Sequence, residues 1–246
     1  MSVIKCGGSI LGSTHEIEAA ADWIAALTQT PGTRIVVVSA PAGVTDSLFA
    51  SISPTASTSG EQIAKHVSAG ERRMAELLTH RLQSRSIPAR QLSVRDIGLR
   101  AAGHPLDADP VSVELDSLTE ATAPVLVIPG FTGLSDSGDL RLLGRGGSDL
   151  TAIFLAAELG ATCHLVQAAK GVYEFDPALR AGARFEQMHW DDLLEMEREV
   201  VQAKAVRLAK QRSQSFIVSG MNSPEQTIVG DVPARLVQDD ISHASS

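Results

Sequence analysis

Two short stretches of this chain carry residue types suited to handling anions. The first is Lys5-Cys6-Gly7-Gly8-Ser9, at the end of an apolar run that reads as a strand over residues 3–6. Glycines there let successive backbone N–H groups close on a phosphate. A lysine just ahead of them can neutralise charge on a transferring phosphoryl group. A Gly-Gly turn after a strand is also common in proteins with no such role. GxxxxGK[ST] occurs nowhere, so this is not a P-loop.

The second stretch is Gly144-Arg145-Gly146-Gly147-Ser148-Asp149, at the head of a helical pattern over residues 149–159. Ser148 is the expected N-cap, and the helix N-terminus favours an anion. Arg145 can grip a carboxylate or phosphate with two parallel hydrogen bonds. Asp149 could orient Lys5 or hold a metal. Capping alone would explain Ser148 and Asp149, but not an arginine and three glycines within six residues. The GxGxxG spacing of a dinucleotide fingerprint fails at Asp149.

Gly70-Glu71-Arg72 lies early in a long helical pattern. A glycine there costs roughly 1 kcal/mol relative to alanine, which hints at close approach to a ligand. By itself, though, the motif reads as a solvated helix face. The seven histidines are scattered without an HExxH pair, and no Ser–His–Asp order is legible. The chemistry that remains is positioning and charge neutralisation, which is what phosphoryl transfer demands.

The elements that must hold these residues alternate between apolar strands and longer helices. Strands are expected over residues 34–39, 89–92, 124–128, 164–167, 216–219 and 227–229. Helices are expected over 16–28, 44–52, 61–84, 112–121 and 149–159, with one or two more over 191–211. Residues 96–110 read as irregular, 53–60 as a surface loop and Asp136–Asp139 as a hairpin tip. Gly160 is placed to end its helix. Such alternation implies a mostly parallel sheet covered on both faces, in one domain over residues 1–238 with a disordered tail beyond.

Bulk properties narrow the classes. The chain has 246 residues, 43% hydrophobic, 4% aromatic, with a formal charge of −8. No basic patch is visible, which argues against nucleic acid as a partner. No run reaches the length of a membrane span, and the N-terminus lacks a leader's apolar core. Two isolated cysteines, Cys6 and Cys163, suggest reduced thiols and no disulfide framework. A cytoplasmic enzyme is expected.

Taken together, IKCGGS, VVVSAPAGVTD, SAGERRMAELL, IPGFTG, LGRGGSDLTA, GVYEFDP and QAKAV resemble the amino acid kinase family, and within it the catalytic domain of aspartate kinases. The likeness runs over residues 3–229, and LGRGGSDLTA is its most specific part. The resemblance implies a three-layer αβα sandwich with a mostly parallel central sheet, and a kinase using ATP and Mg²⁺ to phosphorylate the side-chain carboxylate of L-aspartate. It implies Lys5 and Asp149 as catalytic groups. Gly7, Gly8 and Ser9 would form the phosphate loop, with Tyr173 and Lys204 also on the nucleotide. Ser39, Thr45, Glu71, Phe131, Arg145 and Ser148 would bind the substrate, Glu71 taking its ammonium and Arg145 its α-carboxylate. A homodimer is suggested, and no metal ligand is assigned to the protein.

Two departures from the family pattern fall in the nucleotide half. Gln167-Ala168 stands where the family has Thr-Asp, and Ala178 follows Pro177 where it has Arg. The chain also ends soon after the kinase region, where aspartate kinases carry ACT domains that sense end products; lysine and threonine are therefore not expected to inhibit. Two other readings stay open. One is a family kinase for another amino acid or carboxylate, and the other is a non-catalytic nucleotide- or amino-acid-binding subunit.

Overall fold

The structure is a computed structural model and describes residues 1–52, 58–176, 179–180 and 182–237. Most of the expected loop at 53–60, the Pro177–Ala178 departure and the expected tail lie outside the described residues.

In chain order the elements begin β1 (Ser2–Cys6), α1 (Thr14–Leu27), β2 (Arg34–Val38), α2 (Val44–Ser51), α3 (Gly60–Val67), α4 (Ala69–Gln83) and β3 (Ala89–Gln91). Then come β4 (Arg100–His104), β5 (Asp107–Ser112), α5 (Asp116–Thr119), β6 (Val125–Pro129), β7 (Thr132–Leu134), β8 (Leu140–Leu142) and α6 (Gly147–Leu159). The last are β9 (Thr162–Val166), β10 (Phe185–His189), α7 (Trp190–Glu195), α8 (Ala203–Gln211), β11 (Phe216–Ser219), β12 (Gln226–Gly230) and β13 (Arg235–Leu236).

Among the described residues, nine strands form one sheet in the order β13-β10-β12-β11-β9-β1-β2-β6-β3. Its centre is parallel: β1 pairs with β2 and β9, and β2 pairs with β6. The β11–β12 and β10–β13 pairs are antiparallel. A smaller sheet, β5-β4-β7-β8, stands beside it.

The period of two along a strand sends alternate side chains into two cores. In β2, Ile35 and Val37 join one core with α6 and α8, while Val36 and Val38 join another with α1 and α4. Helices therefore cover both faces, as a parallel sheet requires, and the αβα sandwich is present. Helix α6 is buried on nearly every side, which fits its near-continuous apolar sequence. Among the described residues no helix is long and apolar enough to cross a membrane. Cys6 and Cys163 are buried and free. Burial pushes the Cys6 thiol up to about 12, against a smaller opposing effect of Lys5. It raises that of Cys163 too, with Asp149 adding to the rise. Such thiols are inert at neutral pH.

The structure corrects several expected elements. The long helix over 61–84 is two helices broken at Ser68. Ala64 and Val67 of α3 pack on Phe131 and Leu142, whereas Met74, Ala75, Leu78 and Leu82 of α4 pack on the main sheet. One straight helix cannot reach both cores. Residues 96–110 are not irregular but contribute the β4–β5 hairpin, in which little beyond Ala101, Ala108 and Pro110 is buried. That leaves too weak an apolar alternation to read. The helix expected over 112–121 shrinks to the single turn α5, pinned by the fully buried Leu118. Asp136–Asp139 does join the antiparallel β7 and β8. Gly160 does end α6, at φ 58°.

Candidate active site

The C-terminal ends of β1, β2 and β6 open toward the N-terminus of α6, where ligands bind in open parallel α/β sheets. There Lys5, Ser39, Thr45, Glu71, Phe131, Arg145, Ser148 and Asp149 line one cavity of about 470 Å³. All eight acceptor-side and catalytic residues read from the sequence thus come together.

Lys5 is placed by strand parity. It lies two residues beyond Val3, on the sheet face covered by α6, and its Nζ meets Asp149 Oδ1 at 2.7 Å. Asp149 in the first turn of α6 therefore does orient the lysine. Both side chains are largely shielded, at 10% and 13% exposure, so the pair is screened less than a surface one.

Glu71, in the first turn of α4, is 3% exposed, which overturns the solvated-face reading. Its Oε1 accepts hydrogen bonds from the Ala40 N–H and the Thr45 hydroxyl, each 3.3 Å. Its Oε2 is buried with no hydrogen-bond partner. Burial raises its pKa, and the bonds from its own backbone, Ala40 and Thr45 oppose that only in part. The glycine before it serves the protein, not a ligand: a Cβ on Gly70 would lie 2.7 Å from Ala40 Cβ and 3.2 Å from Val44 Cγ1. The bare glycine lets α4 press on the β2–α2 connection and carries Glu71 into the cavity.

The glycine-rich stretch before α6 is shaped by its neighbours. Gly144 and Gly146 have φ of 77° and 68°; the Asp107 carboxylate and the Gln202 side chain occupy the space their Cβ atoms would take. Between them Arg145 is exposed and enters no ion pair among the described residues. Ser148 is not the N-cap. Gly146 holds that position without any side-chain hydrogen bond, because its left-handed backbone starts the helix one residue before Ser148. Ser148 instead packs against Gly130, whose Cβ would lie 2.7 Å from Ser148 Cβ. Phe131 has φ 75°, rare for a residue with a side chain. Its N–H donates to Thr151 Oγ1 at 3.1 Å, and its ring sits where a Gly147 Cβ would fall. Backbone outliers of this kind cluster at functional sites.

The residues expected on a nucleotide lie outside this cavity. The bare Cα of Gly8 packs on the Ala40 carbonyl, and Gly7 faces the Lys5 ammonium. Ser9 Oγ accepts from the Ala168 N–H at 3.1 Å. Lys204 Nζ is surrounded by Asp107 Oδ1 at 2.7 Å, Ala108 O at 2.9 Å, Leu143 O at 3.1 Å and Asp109 Oδ1 at 3.2 Å. Tyr173 bridges to Arg184. Sequence reasoning missed Asp46 and Phe49, which also line the cavity. For Phe49, one helical turn beyond Thr45 along α2, that spacing was the available signal.

Residues 1–219 match the model of the amino acid kinase family, and the chain belongs to that family. It is 31% identical over 236 residues to an aspartokinase of Helicobacter pylori strain J99, covering 92% of this chain and 58% of that protein. It is 34% identical over 226 residues to an aspartokinase of Thermus thermophilus, covering 85% and 53%. The chain thus spans about half the length of the curated relatives it matches. Among solved structures, the aspartate kinase from Synechocystis superposes with a TM-score of 0.77 at 29% identity, over 97% of this chain and 42% of that one. E. coli aspartokinase III in complex with aspartate and ADP gives 0.79 at 21% identity, over 94% and 65%, and speaks for the fold alone.

Proposed function

We propose that this chain transfers the γ-phosphoryl group of ATP to the side-chain carboxylate of L-aspartate, giving the acyl phosphate. The observation that carries the reading is Glu71 Oε2, a buried carboxylate oxygen with no hydrogen-bond partner, in the same cavity as an Arg145 that enters no ion pair among the described residues. An unsatisfied buried acceptor costs about 1–3 kcal/mol and is retained where a ligand completes it. A group with an ammonium beside a carboxylate completes both residues at once, which describes an α-amino acid. Its side chain would then point along the cavity toward Lys5.

Lys5, held by Asp149, is the cation for charge that develops on the transferring phosphoryl group. Alignment of carboxylate, phosphorus and leaving oxygen supplies most of the remaining rate. Gly7, Gly8 and Ser9 cradle the phosphates, Tyr173 and Lys204 complete the nucleotide's contacts, and Lys204 must leave its aspartates to do so.

Among the described residues no group of three or more His, Cys, Asp or Glu is arranged to hold a metal. Mg²⁺ needs none, because it retains waters and takes phosphate oxygens with one or two carboxylates. Asp149 is the residue that would hold it, and the ion would offset phosphate charge. A homodimer of this chain remains part of the proposal on the strength of family likeness.

The test is ADP release by the purified chain with Mg-ATP and aspartate, succinate, glutamate or no acceptor. Aspartate is expected to stimulate release far above the others. Equal rates with succinate would overturn the amino-acid reading. Stimulation by another amino acid alone would reassign the acceptor, and no stimulation by any would point to a binding subunit.

A further inference from the structure

A second cleft, of about 300 Å³, is lined by chain neighbours of the acceptor-cavity residues. The two share walls but not residues. Glu71 of α4 faces the acceptor cavity while Ser68 and Arg72, on the same turn, line the cleft. Phe131 faces the cavity while its neighbours Pro129 and Thr132 line the cleft.

Three cations converge on it from separate elements: Lys65 of α3, Arg72 of α4 and Arg95 of the link from β3 to β4. Against them stands one lining carboxylate, Glu61. Asp96 is close by, but its Oδ2 is taken by the Ser93 N–H and hydroxyl, both at 2.7 Å, with Ser93 first among the causes that keep its pKa low. Arg72 Nη2 donates to the Lys65 carbonyl at 3.0 Å, which fixes its guanidinium across the helix break. Neither Lys65 nor Arg95 enters an ion pair among the described residues, although Arg81, Arg85, Arg212, Arg235 and Lys210 all do. Arg72 also acts on the nearby Glu71 carboxyl, but in a chain with net charge −8 three cations against one lining carboxylate in a concave site are a local exception that draws small anions inward. The floor, with Ser68 1% and Thr132 5% exposed, is polar.

We propose that this cleft binds a small oxyanion ligand, a phosphate or a dicarboxylate, held by Lys65, Arg72 and Arg95. Guanidinium groups grip either chemistry with paired hydrogen bonds. The site is independent of which acceptor the kinase cavity takes. Its shared walls, the first turn of α4 and the segment from Pro129 to Thr132 that carries the strained Phe131, make it a place from which a bound anion can act on that cavity.

Inorganic phosphate and malonate, titrated separately into the full chain by calorimetry at fixed ionic strength, test this. The wild type is expected to bind at least one probe saturably, and the tighter one identifies the ligand's chemical source. Lys65→Ala/Arg95→Ala is expected to weaken binding at least tenfold. Lys5→Ala/Arg145→Ala, which disables the acceptor cavity, is expected to leave it intact. Both altered cleft side chains are exposed and enter no ion pair among the described residues, so that variant should melt as the wild type does; Lys65→Gln and Arg95→Gln stand in if it does not. Absence of saturable binding, loss only in the acceptor-cavity variant, or equal affinity in all variants would each overturn the proposal.

Discussion

The proposed acceptor cavity and the residues proposed for the nucleotide are prepared in opposite ways. In the cavity, polar groups are left unsatisfied: Glu71 Oε2 has no partner and Arg145 no counter-ion among the described residues. Among the residues proposed for the nucleotide, the corresponding groups have found partners within the chain. Lys204 is ringed by four oxygens, and the Ser9 hydroxyl takes the Ala168 N–H. Element type does not explain the contrast, since Lys204 lies in the first turn of α8 and Arg145 in the turn before α6; what differs is whether acceptors of the chain itself lie within reach of the cation.

The largest expected effect falls where the two halves meet. Lys5→Ala should lower kcat about 10²–10³-fold, the scale of losing one preorganised donor to developing charge. KM for aspartate should change little. Steady-state kinetics check this, and an unchanged kcat would place the reacting phosphoryl group elsewhere.

Next, Arg145→Ala should cut kcat/KM for aspartate about 10–100-fold, from the roughly 1.5–3 kcal/mol of a hydrogen bond to a charged group. Nucleotide binding, measured separately, should stay near wild type. A parallel loss of nucleotide affinity would merge the two regions and break the comparison.

Glu71 gives a pH signature. Its raised pKa means that it stays protonated to higher pH than an ordinary carboxyl, while holding an ammonium requires the anion. The acid limb of kcat/KM should therefore lie above the usual glutamate range and vanish in Glu71→Gln. The stability sign is opposite. The folded state holds this proton more tightly, so the stabilisation is complete below the unfolded pKa and is lost as pH rises through the folded one. Glu71→Gln should accordingly raise Tm at neutral pH and leave it nearly unchanged in acid. Tm measured across that range checks it.

The smallest effect sharpens the nucleotide side. Asp107 and Asp109 are 66% and 74% exposed, and exposed pairs contribute about 0.2–1 kcal/mol. Asp109→Asn should loosen the hold on Lys204 and tighten ATP binding by at most about fivefold in a direct titration. Weaker binding would mean that the aspartates position the lysine.

The sequence by itself determined the alternation of apolar strands and helices, and hence the covered parallel sheet, because burial periodicity is local. It also singled out Lys5, Arg145 and Asp149 as candidates for handling an anion, since residue type and glycine spacing are written in order along the chain. The residue pattern alone did not assign Glu71, which lies on a helix that looks solvated and is offered only through the family resemblance, and it could not show that Gly70 faces Ala40 and not a ligand. Nor could it split residues 61–84 into two helices or recover the β4–β5 hairpin. The break at Ser68 exists because α3 and α4 serve different cores, and the hairpin buries too few side chains to leave a pattern. Only the tertiary structure decided which cations go unpaired, because whether a lysine meets an aspartate 97 positions away, as Lys204 meets Asp107, depends on packing and not on sequence neighbours.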